Sequence, residues 1–228
     1  MKPVVRSTWL AMVTAIITIV VTPFAFAQSD QQRLVDAADA SLNNFVRDPE
    51  MGWFQQNVGR AKGLLIAPEV LKAGFIFGGS GGRAVLIARD PKSGQWVGPA
   101  FYALATASFG FQAGIAVSES ITLVMTDKGM NSLLSPSFKI GGDASIAVGP
   151  VGAGAKSDIV ADLIAFSRSK GVYGGLNLDG TLVNTSDDWN EAYYGTRVLS
   201  TDILIRMSVR AEGANKLIAN IAKAASSK

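Results

Sequence analysis

The chain opens its regular pattern with an amphipathic helix. From Ser29 to Val46, apolar residues recur at intervals of three and four, with polar residues on the opposite side. This period is that of one face of an α-helix, and Pro49 marks its end because proline cannot continue a helix. The apolar positions are Leu34, Val35, Ala38, Leu42, Phe45 and Val46, and the polar ones are Asp36, Asp39, Asn43 and Arg47. A shorter helical stretch is predicted over 51–58.

Between Ala61 and Thr185 the pattern changes to short β-branched or alternating runs separated by glycines. Runs of this length and spacing are typical of an antiparallel sandwich or barrel. The predicted strands are Gly63–Ala67, Ala73–Phe77, Arg83–Arg89, Phe101–Ala107, Phe111–Ser118, Ile121–Thr126, Phe138–Ile140, Ala144–Val148, Ile159–Ser169, Val172–Leu178 and Thr181–Asn184.

Helical patterns interrupt and follow these strands. A helix is predicted over Asp127–Leu134, capped by Asp127, and helical periodicity returns over Ser200–Met207 and Ala214–Ala225. An order of helix, sheet and helix without βαβ alternation indicates an α+β fold. We therefore expect an antiparallel β sandwich or barrel with glycine-rich turns, flanked by N-terminal and C-terminal helices.

The first 27 residues have the pattern of a secretory signal peptide. Lys2 and Arg6 precede an apolar run, and Ala25 and Ala27 supply the small residues that a signal peptidase recognises. A membrane anchor is the alternative, but Pro23 and the Ala-x-Ala ending favour cleavage. We expect a signal peptide over 1–27, a single domain over 28–228, and an exported protein peripheral to the membrane in the periplasm or cell envelope.

Two missing residue types exclude the commonest catalytic chemistry. The chain contains no cysteine and no histidine, so it can form no disulfide, Ser-His-Asp triad, cysteine nucleophile or ordinary zinc site. Without Lys2 and Arg6, 19 basic residues face 18 acidic ones. This balance does not favour binding to nucleic acid, so an anionic partner would have to meet a local cluster of cations.

The glycine run at 78–82 raises the possibility of a nucleotide site. Gly79, Gly81 and Ala84 formally satisfy G-x-G-x-x-G/A, which joins a strand to a helix in dinucleotide-binding folds. A β-type run follows here instead of a helix. We therefore predict a glycine hairpin turn, because turn positions with positive φ favour glycine, and no bound nucleotide.

For three other motifs, an ordinary structural role fits the sequence better than a catalytic or ligand-binding one. The stretch 149–157 misses the P-loop pattern by one inserted residue, Ala155. Ser167 and Lys170 match S-x-x-K but lie in a predicted strand, which turns them to opposite faces. The acidic run at 187–191 suits the start of a helix better than a metal site. We expect no catalytic residue, cofactor or metal.

Six basic residues are candidates for binding an anionic surface. One group lies around the first strands and the other at the end of a later strand, where period two places both of its cations on one face. They either protect solvated strand ends or form a basic rim for lipid headgroups. The candidates are Arg60, Lys62, Lys72, Arg83, Arg168 and Lys170.

Seven segments of the chain together form a recognisable family pattern. They are Ala61-Lys-Gly-Leu-Leu-Ile-Ala-Pro68, Ala73-Gly-Phe-Ile-Phe-Gly-Gly79, Arg83–Arg89, Ser108-Phe-Gly-Phe-Gln-Ala-Gly114, Gly141-Gly-Asp-Ala-Ser-Ile-Ala-Val-Gly-Pro150, Phe166-Ser-Arg-Ser-Lys-Gly-Val-Tyr-Gly-Gly175 and Ala192-Tyr-Tyr-Gly195. In these segments and their order, the chain resembles the SYLF domain family over nearly all of residues 28–228.

The resemblance implies a lipid-binding module. Eukaryotic members bind phosphoinositides and some bind actin filaments, whereas bacterial members are exported single-domain proteins. An amphipathic N-terminal segment and nearby basic residues are implicated in lipid binding. In this chain that points to the helix at 29–47 and to Lys62, Lys72, Arg168 and Lys170.

Together these observations predict a non-enzymatic protein that binds anionic phospholipid membranes through a basic rim and an amphipathic N-terminal helix. Phosphatidylglycerol, cardiolipin or phosphatidic acid would be the natural ligands if the signal is bacterial. The alternative is a structural or protein-interaction module of the cell envelope that does not bind lipid directly.

Overall fold

In the described part of the chain, the fold is an α+β arrangement of one sheet and six α-helices. The computed structural model describes residues 28–74, 77–109, 114–152, 159–171, 178 and 180–227. The helices are α1 (Asp30–Arg47), α2 (Gly52–Asn57), α3 (Asp127–Leu134), α4 (Asp187–Tyr194), α5 (Ser200–Leu204) and α6 (Asn215–Ser226). The strands are β1 (Gly63–Gly74), β2 (Phe77–Arg89), β3 (Trp96–Phe109), β4 (Gly114–Val124), β5 (Ser137–Lys139), β6 (Ile146–Val148), β7 (Leu163–Gly171) and β8 (Leu182–Thr185).

The strands form a single, strongly curled sheet. Their order is β5-β8-β3-β2-β1-β4-β7-β6, and the sheet curls into a half-barrel. Pairing is antiparallel except between β6 and β7, which run parallel. The predicted α+β class with flanking helices is confirmed, although the parallel edge pair makes the sheet mixed.

The glycine run does not form the predicted hairpin turn. Residues 78–82 lie inside β2 and pair with both β1 and β3. The reason for glycine is close approach: β1 has a bulge between Ile66 and Glu69, and a Cβ atom on Gly82 would lie 2.4 Å from the carbonyl oxygen of Glu69. The connection between β1 and β2 is at residues 75–76, outside the described part of the chain.

Helices α1, α2 and α6 cover one part of one sheet face. Ser29 caps α1 by accepting a hydrogen bond from the backbone N–H of Gln32. Phe45 of α1, Phe54 of α2 and Phe166 of β7 form an edge-to-face aromatic cluster with centroid separations of 5.8 and 5.4 Å. The predicted N-terminal helix is therefore confirmed, and its apolar side lies in the core.

The opposite sheet face holds a second core, with α3 and α5 packed against it. Helix α3 is capped by Thr126, whose hydroxyl accepts from the backbone N–H of Gly129, and not by Asp127 as predicted. Met130 and Leu133 of α3 are buried.

Several predictions concern residues that the structure does not describe. These are the signal peptide at 1–27, residues 111–113 of one predicted strand, the lysine and serine of the P-loop-like stretch, and nearly all of the predicted strand at 172–178. Among the helices that are described, none is both long and apolar enough to cross a membrane.

Candidate functional site

Part of the sheet face that carries α1, α2 and α6 is not covered by these helices. The covering ends at Glu119 of β4, whose carboxylate accepts hydrogen bonds from Ser41 and Asn44 of α1 at 2.8 and 3.1 Å. Beyond it, Leu71, Val117 and Ile115 are 48%, 39% and 66% exposed. Because directly paired residues of neighbouring strands share a face, the pairing of Leu71 with Val117 places these side chains together.

Small residues continue this surface across β2 and β3. Ala73 pairs with Ile115 and Gly79, while Gly81 pairs with Leu71 and Ala105. Leu182 of β8, 47% exposed, pairs with Ala105. We call this surface the open sheet face and define it by Leu71, Ala73, Gly79, Gly81, Ala105, Ala107, Ile115, Val117 and Leu182.

Directly paired residues of neighbouring strands form rows across this face, and one such row has a lysine position at each end. Lys139 of β5 pairs with Leu182, and Lys170 of β7 pairs with Val117. The row thus runs from one lysine position to the other across seven strands, with apolar residues and glycine between them. The side chain of Lys170 is outside the described part of the structure, so only its place in the register is given.

A charged row separates the open sheet face from the helices. Arg168 contacts Glu119 at 3.1 Å and Asp48 at 3.3 Å. Arg83 lies on β2, with β1 and β4 between it and Arg168, and it pairs in register with Glu69 of β1. The guanidinium of Arg83 lies 4.0 Å from the centre of the Trp189 ring and donates to the Ser186 hydroxyl. Arg83 and Arg168 therefore bind other parts of the fold.

The six predicted basic residues do not meet at one edge of the sheet. Arg60 and Lys62 lie just before β1 begins, whereas Lys72 lies near the other end of that strand. Lys72 also pairs with Ala116 and Ser80, which places it on the sheet face opposite to Lys170. The expectation of one continuous rim is wrong for this reason. A role in lipid binding for each of the six residues stays a prediction.

The amphipathic N-terminal helix is not available for membrane insertion in this conformation. Val35, Leu42 and Phe45 are fully buried in the core that α1 forms with the sheet and α6. On its polar side, Asp39 binds Lys216 and Asn220 of α6 at 3.0 and 2.6 Å. The expectation that this helix contacts lipid is therefore corrected: α1 is docked, and its apolar face is occupied.

As far as the structure describes them, the S-x-x-K motif and the acidic run at 187–191 do not have catalytic or metal-binding geometry. Ser167 and Lys170 lie on strand β7, three positions apart, so they are on opposite faces. Asp187 and Asp188 occupy the first turn of α4. Within the described ranges, no cluster of acidic residues could hold a metal ion.

The open sheet face was missed from the sequence, although a signal for it exists. Leu71 and Ala73, like Ile115 and Val117, alternate with residues of the other face. That alternation identifies two faces but not which part of a face the helices leave uncovered.

Comparison with known proteins decides the family. Residues 105–224, just over half of the chain, match the family described as "Ysc84: Las17-binding protein actin regulator". The chain belongs to the Ysc84 family. The resemblance to the SYLF domain is thereby confirmed.

The relatives within the Ysc84 family are longer proteins. LAS seventeen-binding protein 3 of Saccharomyces cerevisiae is 34% identical over 152 residues, which cover 64% of this chain and 33% of the yeast protein. SH3 domain-containing YSC84-like protein 1 of Homo sapiens is 29% identical over 152 residues, covering 64% of this chain and 44% of the human protein. The chain thus matches less than half the length of these relatives. No solved structure gave a significant match.

The names in the Ysc84 family refer to binding and regulation. The family description names Las17 binding and actin regulation, and the yeast relative is named for binding LAS seventeen. None of these names refers to a reaction.

Proposed function

We propose that this chain binds anionic phospholipid membranes as a peripheral, non-enzymatic protein, with the open sheet face as its contact surface. The observation that carries the proposal is the exposed cluster of Leu71, Val117 and Ile115, in which Leu71 and Val117 belong to the row that has a lysine position at each end. An interface of headgroups and acyl chains suits this arrangement, because apolar side chains insert shallowly while lysines contact phosphates.

The expected membrane affinity is modest. Full burial of a Leu, Ile or Val side chain contributes roughly 1.5–3 kcal/mol. The three large side chains are 39–66% exposed, so membrane contact would contribute about 1 kcal/mol for each of them. Each lysine near an anionic surface adds about 1 kcal/mol. The total is close to the affinity of a single myristoyl chain, which binds reversibly.

Local charge, and not net charge, would select anionic lipid. Without its first 27 residues the chain has a formal net charge of only +1, from 19 basic and 18 acidic residues. Attraction would therefore come from Lys139 and Lys170 at the ends of the row, and salt would weaken it. We further propose that the chain is exported and that residues 1–27 are removed. It would then act peripherally to the membrane, in the periplasm or cell envelope.

A protein partner is the second candidate. The yeast relative is named for binding LAS seventeen, and an exposed apolar surface rimmed by polar residues also suits a protein interface. In this alternative the open sheet face would bind a protein of the cell envelope, and binding would survive a detergent that removes lipid.

Vesicle flotation tests the proposal. The full mature chain is mixed with vesicles of phosphatidylcholine alone or with phosphatidylglycerol. The wild type is compared with the double variant Ile115→Asp/Val117→Asp and with Val160→Asp. Val160 is a matched control because it is 99% exposed and precedes β7, at the end of the sheet away from Ile115.

The proposal predicts flotation of the wild type and of Val160→Asp with phosphatidylglycerol vesicles, and at least a roughly tenfold loss for the double variant. Equal recovery with neutral vesicles would remove the claim for anionic lipid. Equal flotation of all three proteins would remove the open sheet face from the binding surface.

A further inference from the structure

A separate cleft lies at the end of the sheet away from the open sheet face. Its volume is about 510 Å³, within the roughly 300–1,000 Å³ of small-molecule sites. It lies between the ends of β1 and β2 and the helices α3 and α5. The apolar part of its wall consists of Ala61, Ala88, Met130, Leu134, Leu204 and Ile205.

Three cations stand around this cleft, and backbone contacts fix their places. The backbone N–H of Arg89 donates to the carbonyl of Lys62 at 2.8 Å, which holds these two residues side by side. The Arg89 guanidinium donates to the carbonyls of Gly59 and Gly94 at 2.9 and 3.2 Å. Gly59 precedes Arg60, the third cation, so all three converge on one rim of the cleft.

The described carboxylates around the cleft bind neither Arg60 nor Arg89. Asp127 binds Lys62, with 2.9 Å between Nζ and Oδ1. The Ser93 hydroxyl and the backbone N–H groups of Ser93 and Lys92 hold Asp90 and lower the pKa of its carboxyl. In contrast, Arg89 donates to backbone carbonyls, and Arg60 donates to the side-chain oxygen of Asn57 at 3.0 Å.

The chemistry of the wall is therefore apolar on one side and cationic on the other. Carbonyl and amide oxygens satisfy these hydrogen bonds, and the Trp96 ring lies 6.0 Å from the Arg89 guanidinium, but among the described residues no carboxylate forms an ion pair with either arginine. A guanidinium binds carboxylate or phosphate well. Ile205 is 52% exposed at the mouth, so an acyl chain that enters beside it would cover apolar surface now in contact with water.

We propose that this cleft binds a single-chain anionic amphiphile, with its acyl chain against the α3 and α5 side and its head at Arg60 and Arg89. Either a fatty acid or a single-chain phospholipid supplies this chemistry. The site is distinct from the open sheet face, because it lies at the opposite end of β1 and shares no residue with that face.

Calorimetric titration with four ligands of equal chain length tests the proposal. Dodecanoate and dodecyl phosphate distinguish the two anionic sources, and dodecanol and dodecyltrimethylammonium test the need for negative charge. With residues 28–228, the three ionic ligands are used below their micelle concentrations and dodecanol below its solubility limit. Dodecanoate, dodecyl phosphate or both should bind with one-to-one stoichiometry, at least about tenfold more tightly than dodecanol.

Two variants address the two halves of the cleft. Arg60→Glu reverses an exposed charge, and Asn131→Trp adds bulk from an exposed position of α3 that lines the cleft. The control is Arg47→Glu, which reverses an exposed charge at the end of α1. Arg60→Glu and Asn131→Trp should each weaken anionic binding at least fivefold, about 1 kcal/mol, while Arg47→Glu should not.

The two proposals can fail independently. Asn131→Trp should leave the anion-dependent flotation of vesicles unchanged within about twofold, and Ile115→Asp/Val117→Asp should leave dodecanoate binding unchanged. Absence of binding by both anionic ligands would overturn the cleft proposal. Equal binding of dodecanol, or equal losses in Arg60→Glu and Arg47→Glu, would overturn it as well.

Discussion

Replacing Asp162 by asparagine should disrupt the hydrogen bonds that connect the start of β7 with the cap of α3 and with the start of β6. Asp162 precedes β7, and its carboxylate accepts from the Thr126 hydroxyl at 2.5 Å, which belongs to the cap of α3. It also accepts from the backbone N–H and the hydroxyl of Ser145 at 2.9 and 2.7 Å, just before β6. Lys128 lies 3.6 Å away. An amide in this place would direct its NH₂ group at one or more donors.

The pKa gives the size and the pH dependence of this effect. Hydrogen bonds from Thr126 and Ser145, with a smaller contribution from Lys128, lower the pKa of Asp162 from 3.8 to about 2. This difference corresponds to about 2 kcal/mol of folding free energy. Because the pKa is lower in the folded protein than in the unfolded chain, the stabilisation is complete above about pH 4. It is lost as the pH falls towards about 2.

Urea denaturation of the wild type and Asp162→Asn at a series of pH values measures this contribution. The variant should be about 2 kcal/mol less stable at neutral pH, and the difference should shrink as the pH falls from about 4 to about 2. Glu191→Gln is the control, because Glu191 is exposed and its carboxylate makes no hydrogen bond or ion pair with the described residues. A difference that stays constant over this pH range, or one no larger than in the control, would refute the reasoning.

Two further substitutions test the packing of the sheet and of the N-terminal helix, both by chemical denaturation. Gly82→Ala should destabilise the fold by about 1–3 kcal/mol, because the new Cβ would lie 2.4 Å from the carbonyl oxygen of Glu69. Gly81→Ala, with a contact of 3.4 Å, should cost clearly less, and equal costs would contradict this account of the glycine run. Asp39→Ala should destabilise the fold by about 1–3 kcal/mol, because it leaves Asn220 of α6 without its 2.6 Å hydrogen bond to Asp39. An unchanged denaturation midpoint would argue against tight docking of α1.

The sequence predicted the helices better than the strand boundaries. The apolar period placed α1 within one residue of its observed ends, because burial of one helix side leaves a clear pattern. The glycine run was misinterpreted, since glycine is favoured both in hairpin turns and where two backbones approach closely. Only the bulge in β1 distinguishes these cases, and it is a property of the pairing between strands.

The candidate site was harder to predict because it depends on distant partners. Arg168 is conspicuous in the sequence as a cation at the end of a strand, but Glu119 and Asp48, which bind it, are far away along the chain. The exposure of Val117 depends on where α1 ends relative to β4, which is again a tertiary feature. Residue type therefore indicated basic and apolar candidates, whereas their accessibility required the fold.

Shallow insertion of the open sheet face into an anionic bilayer is the central claim, and a fluorescent label at Val117 tests it most directly. The chain has no cysteine, so Val117→Cys and the control Val160→Cys can each be labelled at one position with an environment-sensitive NBD dye. On phosphatidylglycerol vesicles, the label at position 117 should shift its emission to the blue and become protected from an aqueous quencher, while the label at position 160 should not. Vesicle-bound protein in which the label at position 117 stays as exposed as the control would contradict the claim.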